Sequence, residues 1–285
     1  MAMKEQAITS TLQPSAQSRW FSMASLMEKI KSASASFLYT LIGFSLLLLL
    51  WGVISGLVGN SLPGPLATLK TLWQLVSDPF YDNGPNDKGV GLQMGSSLLR
   101  VFIGFSLGSL VAIPLGVIIG GTPLFRKVLS PVVELLRPVS PLAWFPIGLA
   151  VFKHAGEATI FVIFITSLWP TVINTAFGVG SVPEDHKVVG RAFGFSRWRY
   201  LRRVLIPYSL PHILTGLRLS LGVAWLVIVA GEMLSGGMGI GFFVWDSWNA
   251  LNLERVISAI ILIGVTGLLL DRGFEVIARK VRYDN

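Results

Sequence analysis

Residues 188–211 read VVGRAFGFSRWRYLRRVLIPYSLP, with five arginines and no acid in a chain that is otherwise largely apolar. On either side lie the runs 158–179 and 213–234, each with the roughly 20 mainly apolar residues needed to cross a hydrocarbon core. A cation-rich link between two spans is the signature of a loop held on the cytoplasmic side. Inside the link, Pro183, Glu184 and Asp185 predict a helix start, with acids at the positive end of its dipole. That helix is expected to run to Phe193 and stop at Gly194, a residue suited to a left-handed cap. Ser196 then predicts the cap of a second helix, RWRYLRRVLI, ending before Pro207. Trp198, Leu201 and Leu205 give it an apolar stripe, with Arg199, Arg202 and Arg203 around the other side, so it is expected to lie along the membrane surface. The arginines suit anionic lipid headgroups. They equally suit a docking corner for another protein, where Gly194 lets two backbones approach.

Composition agrees with a membrane protein. Only 13% of the 285 residues are charged, against about a quarter in soluble domains, and the mean hydropathy is +0.66. The net charge of +8 does not point to nucleic acid, because the cations cluster between apolar spans without any nucleic-acid module. The absence of cysteine excludes disulfides and thiolate chemistry. His154, His186 and His212 all fall in loops and no HExxH motif occurs, which disfavours a membrane-embedded enzyme.

The predicted class is an all-α polytopic membrane protein of about six spans: 37–58, 98–120, 128–151, 158–179, 213–234 and 256–271. Residues 1–36 read as a polar cytoplasmic tail, 37–58 as an uncleaved first span and 59–97 as an external segment. Residues 98–271 read as a five-helix core containing the loop 181–211, and 272–285 as a cytoplasmic tail. With both termini inside, inner segments hold sixteen Lys and Arg: four in the tail, two at 126–127, six in 180–212 and four after Asp271. The outer segments hold four, a bias that sets the orientation. Outside, PFYDNGPNDKG (79–89) predicts turns, and SGGMGIGFFVWDSWNALNLER (235–255) predicts a re-entrant or interfacial segment carrying Trp245 and Trp248. Gly104, Gly108, Gly116 and Gly120 predict close helix packing within the subunit, and Pro114 a kink.

The spacing Gly-x12-Pro-x3-Pro at Gly194, Pro207 and Pro211 resembles the cytoplasmic "EAA" loop of permease subunits in bacterial binding-protein-dependent ABC importers. There the first helix of the loop couples to a groove on the ATP-hydrolysing subunit. The resemblance carries that role to Val189, Gly190, Arg191, Ala192, Phe193, Gly194, Phe195 and Ser196. The chain departs from the motif where Glu-Ala-Ala is usual, with Val188, Val189 and Gly190 in its place. RPVSPLAWFPIGLAVF (137–152) and TGLRLSLGVAWLVIVAGEML (215–234) are similar to the branch carrying nitrate, bicarbonate, cyanate and sulfonates. FYDNGPNDKG, GIGFFVWDSWN and GLLLDRG are most similar to the nitrate and bicarbonate members.

The resemblance implies a type I importer permease in the bacterial inner membrane, moving nitrate or nitrite, or with the same architecture bicarbonate, cyanate or a sulfonate. It also implies a second permease copy, two cytoplasmic ATPase subunits that use ATP and Mg2+, and a periplasmic binding protein, with no cofactor in this chain. No GxxxxGK[ST] loop occurs in the sequence. ATP-driven closure of the partners would rock the helices about the docked loops. A self-contained secondary anion transporter is the reading of another class, in which the basic loop serves only topology and lipid binding.

For an anion pathway, span three is the expected break, since Pro141 and Pro146 interrupt its hydrogen-bond ladder around Trp144. Trp144 is expected at the constriction, with Trp169 and Trp225 as further walls. Arg137 is expected either to pair with Glu134 three residues earlier or to line the path. Arg218 is expected either to snorkel to the interface or to lend the path positive potential. Glu232 is expected as a structural partner or gate element, because a carboxylate repels an anion.

Overall fold

The computed structural model describes residues 16–85 and 87–281. Among these the secondary structure is helical apart from an isolated antiparallel bridge, Asp82 to Lys88. The helices are α1 (Ala16–Val58), α2 (Pro65–Ser77), α3 (Val90–Gly121), α4 (Pro123–Leu136), α5 (Phe145–Phe152), α6 (Ala155–Gly180), α7 (Glu184–Ala192), α8 (Arg197–Tyr200), α9 (Ile206–Ser235), α10 (Ile240–Asn249) and α11 (Leu253–Val281). The chain divides into two compact units, residues 1–65 and 66–285.

In the first unit, α1 begins at Ala16, well before the apolar run at 37–58, because the preceding Ala-, Met-, Glu- and Lys-bearing stretch propagates a helix readily. The expected tail therefore becomes helix from Ala16 on, and residues 1–15 lie outside the described residues. The end of α1 is tied back on itself: Trp51 Nε1 donates to the Pro63 carbonyl (3.0 Å) and Ser55 Oγ to that of Leu62 (2.8 Å).

In the second unit, α3, α6 and α9 form the centre. Lipid tails are as apolar as leucine, so helices associate there through close packing and buried polar bonds rather than hydrophobic burial. The sequence supplies both. A Cβ on Gly104 would meet Ile163 at 2.7 Å and one on Gly116 would meet Thr175 at 2.6 Å, so α3 lies directly against α6. Between α6 and α9, the hydroxyls of Thr171 and Ser220 lie 2.7 Å apart, and Ser220 donates to the Ser167 carbonyl at 2.6 Å.

Five helical stretches are long and apolar enough to span a membrane: within α1, α3, α6, the stretch 197–235, and α11. The third expected span is a broken one, α4 and the stretch Pro141–Phe152 meeting at 96°. A 3-10 turn at Pro141–Trp144 leads into α5, where Pro146 lies in the first turn. Prolines at these positions have no N–H to give the preceding turn, so the ladder fails where the sequence said it would.

Helix ends differ from the expected spans in physically instructive ways. The segment 59–97 contains α2 and the first turns of α3. PLATLKTLWQLVS is too short and polar to span, yet its amphipathic pattern suffices for a surface helix. At the other terminus α11 continues to Val281 instead of ending near Asp271, with Arg279 and Lys280 in its last turn where the dipole favours cations. Residues 282–285 lie outside the described residues. The 79–89 stretch folds as a small hairpin: Asn83 N–H donates to the Asp87 carbonyl (2.9 Å) and Gly89 N–H to that of Tyr81 (2.7 Å). Lys88 pairs with Asp82, and its hydrogen bond, helped by the Gly84 amide, holds that carboxyl below the usual aspartate range.

The second helix of the basic link does not end before Pro207. α8 passes through a π turn at Leu201–Leu205 into α9, giving one helical stretch from Arg197 to Ser235. The wider turn, with Ile206 N–H bonded to the Leu201 carbonyl, loosens the ladder just before the proline and absorbs its missing donor. The arginine-bearing turns are thus the start of a long span, not a separate helix on the membrane surface.

Candidate functional site

Two places in the second unit bring the singled-out residues together: the corner at Gly194 and a cavity beside the broken span.

The corner is built mainly from backbone. Gly194 has φ +63°, a left-handed conformation that costs a residue with a Cβ about 1 kcal/mol or more. Phe195 N–H closes back on the Gly190 carbonyl at 2.9 Å, the Schellman bond that satisfies the end of α7. Ser196 Oγ accepts from the Arg199 amide (3.3 Å) and starts the next helix, as its sequence position implied. Gly190 faces Tyr200 so tightly that a Cβ there would meet the ring at 2.9 Å, which is how α7 folds back against α8. The Arg199 guanidinium sits 5.9 Å from the Phe195 ring centre. What the corner leaves outside is apolar as well as basic: Val188 is exposed, Phe193 is 74% exposed and Trp198 69%. Ala192, Gly194 and Ser196 are exposed too, while the side chains of Val189 and Arg191 lie outside the described residues. Behind it, Tyr208 Oη donates to the Ser181 carbonyl at 3.3 Å and packs beside the His186 ring, anchoring the corner to the end of α6.

The cavity, of about 370 Å³, is lined by Arg137, Pro141, Trp144, Thr166, Trp169 and Asn174 among others. Arg137 caps the end of α4, and its amide bonds the Val133 carbonyl at 2.9 Å. Trp144 closes the 3-10 turn, and its indole Nε1 is buried without a hydrogen-bond partner. Pro170 has no N–H, so the Thr166 carbonyl lacks its helical donor. Asn174 Nδ2 donates to the Pro170 carbonyl at 2.8 Å, which orients the amide in the wall. Among the described residues no carboxylate lines this space. The expected Glu134–Arg137 pair is not formed. Both side chains instead line a smaller neighbouring space of about 190 Å³.

Four of the seven expected pathway residues thus share one cavity: Arg137, Pro141, Trp144 and Trp169. The other three lie elsewhere. Arg218 does not line the cavity. It makes a two-pronged bond to Asp271 of α11 (2.6 Å each), with Glu275 at 3.8 Å. Trp225 is 4% exposed within the hydrophobic core, and its Nε1 donates to the Ile263 carbonyl at 3.1 Å, so it joins α9 to α11. Glu232 is fully buried at the far end of α9, against Arg100 and Ser97 of α3. Asn174 and Thr166 were not singled out in the sequence. The Pro170–Asn174 spacing of four residues was the available signal, because an amide one turn after a helical proline can bond its carbonyl. Arg100, Gln93 and Ser97 were not singled out either, because nothing within α3 announces their partners on α9 and α10. Among the described residues no group of three or more His, Cys, Asp or Glu is placed to hold a metal.

Residues 112–283 match the family model described as the binding-protein-dependent transport system inner membrane component. A nitrate import permease protein, NrtB of Synechocystis sp., is 43% identical over 257 residues, covering 88% of this chain and 94% of the relative. A bicarbonate transport system permease protein, CmpB of the same organism, is also 43% identical, over 247 residues, covering 86% and 87%. Among solved structures, a chain of a bacterial ABC transporter involved in the import of the acidic polysaccharide alginate aligns with a TM-score of 0.61 at 14% identity. It covers 91% of this chain and all of that one, a likeness of fold.

Proposed function

The chain belongs to the family of inner membrane components of binding-protein-dependent transport systems, and on that premise we propose that it is the permease of an ATP-driven nitrate importer. The observation that carries the substrate is the 43% identity to a nitrate import permease across nearly the whole length of both chains. Two copies form the pathway, two cytoplasmic ATPase subunits burn ATP with Mg2+, and a periplasmic binding protein delivers the ion. Both termini and the Gly194 corner face the cytoplasm. The sixteen-to-four distribution of Lys and Arg supports that orientation.

Residues 189–196 form the handle that the ATPase subunits grip. The rigid glycine turn with exposed Phe193 beside it suits a fitted groove better than a fluid lipid surface. The cavity by the broken span is a station on the path. Nitrate is planar and singly charged and only accepts hydrogen bonds. Arg137 and the Asn174 amide offer donors, and among the described residues no carboxylate lines the cavity. Donors of this number attract the ion without the tight cage that stalls release.

Bicarbonate is the second reading, favoured by an equal identity to a bicarbonate permease. The test is uptake into proteoliposomes holding permease, ATPase subunits and binding protein. Nitrate uptake dependent on ATP and on the binding protein, and resistant to excess bicarbonate and cyanate, is expected. Uptake of nitrate by the permease alone, driven by a gradient, would contradict the reading.

A further inference from the structure

Glu232 has no carboxylate role on an anion path, yet it is fully buried in the far end of α9. Its Oε1 accepts from Arg100 Nη1 (2.7 Å) and Ser97 Oγ (2.9 Å), and its Oε2 from Ser97 Oγ (2.7 Å) and the Gly241 amide (3.0 Å). Arg100 Nη1 also donates to the Met238 carbonyl at 2.6 Å. The two preceding amides at the start of α10 are held in the same way: Ile240 N–H by Ser97 Oγ (2.9 Å) and Gly239 N–H by Gln93 Oε1 (2.6 Å). Three consecutive amides that a helix start leaves without internal partners are therefore satisfied by side chains of α3 and α9. The fit is close, because a Cβ on Gly241 would meet the Glu232 Cβ at 2.9 Å. Only Arg100 is partly exposed, so parting the pair leaves the Glu232 charge buried and uncompensated, and the pair resists separation.

α9 is also continuous with the Gly194 corner through the stretch 197–235. At about 1.5 Å per residue that rod is roughly 58 Å long. We propose that Glu232 is a positioning residue that fastens α10 to the rod carrying the corner, so that movement at the corner reaches α10 at the other end. Under the function proposed above, on which this inference rests, α10 lies on the face where the loaded binding protein arrives. Glu232 then sets how strongly that arrival stimulates ATP hydrolysis.

The test uses the complete transporter in proteoliposomes, with ATP hydrolysis measured with and without nitrate-loaded binding protein. Glu232→Gln is expected to assemble and keep its basal hydrolysis while stimulation and uptake fall about tenfold, a typical coupling energy between sites. Ser97→Ala leaves the Arg100–Glu232 pair in place and is expected to reduce stimulation less, again at unchanged basal rate. Should Glu232→Gln fail to assemble, Ser97→Ala decides. Wild-type stimulation in an assembled Glu232→Gln transporter, or a proportional loss of basal and stimulated rates in Ser97→Ala, overturns the inference. A wild-type transporter that shows no stimulation overturns the proposed function itself, and the two failures are told apart by that arm.

Discussion

At one end of the 197–235 helix the chain turns on a left-handed glycine and leaves Phe193 and Trp198 facing outward. At the other end Glu232 is enclosed by Arg100, Ser97 and the Gly241 amide. The first end is shaped by backbone and offers surface. The second is shaped by side chains and keeps its central carboxylate out of reach. An exposed turn is suited to being gripped by a partner, and a buried ion pair to holding an element of its own chain in place. The rod joins a handle to a clamp.

The largest effect should come from the handle. Gly194→Asp forces a residue with a Cβ into the left-handed region and adds charge beside Phe193. At about 1–2 kcal/mol of backbone strain plus the misfit at the groove, ATPase subunits should be lost on purification in mild detergent and uptake abolished. A variant that retains partners and transport would break the comparison at its first end. The cavity sharpens the comparison next. Trp144→Ala removes an indole from the cavity wall, and uptake is expected to fall several-fold with a changed nitrate-to-bicarbonate preference. Unchanged rate and selectivity would remove the cavity from the path.

The helix seam between the two ends gives a smaller effect. Ser220→Ala removes the bridge from α9 to Thr171 and the Ser167 carbonyl. Polar contacts between membrane helices average about 0.6 kcal/mol, so a modest loss of unfolding stability in detergent is expected, with coupling intact. The smallest effect lies in the 79–89 hairpin, whose described residues contribute no side chain to the handle or to the Glu232 bonds. Its depressed Asp82 carboxyl stabilises the hairpin fully above the usual aspartate range, and this contribution is lost as pH falls through the lowered value. Asp82→Asn should leave transport at neutral pH near wild type, and the protection of the hairpin amides, corrected for intrinsic exchange, should lose the acid dependence that Asp82 gives it.

The corner was legible in the sequence because its signals are local: acids at 184–185, glycine at 194 and serine at 196 each specify one turn of backbone. The broken span was legible for the same reason, through Pro141 and Pro146. Pro207 misled because a proline predicts an interruption of the ladder but not how it is absorbed, and a π turn kept the helix going. Arg218 and Trp225 were assigned toward the path from their own helix alone. Their partners, Asp271 and the Ile263 carbonyl, lie on α11, dozens of residues away in sequence. The clamp was the least legible feature. Ser97 and Arg100 lie more than 130 residues before Glu232, and no periodicity within one helix announces a bond between helices.

Labelling of a single introduced thiol tests the handle most directly, since the chain contains no cysteine of its own. Phe193→Cys in the assembled transporter should resist a membrane-impermeant thiol reagent from either side, and in the permease alone should react rapidly from the cytoplasmic side only. Reaction from the outer face, or equal reactivity with and without the ATPase subunits, would contradict the account.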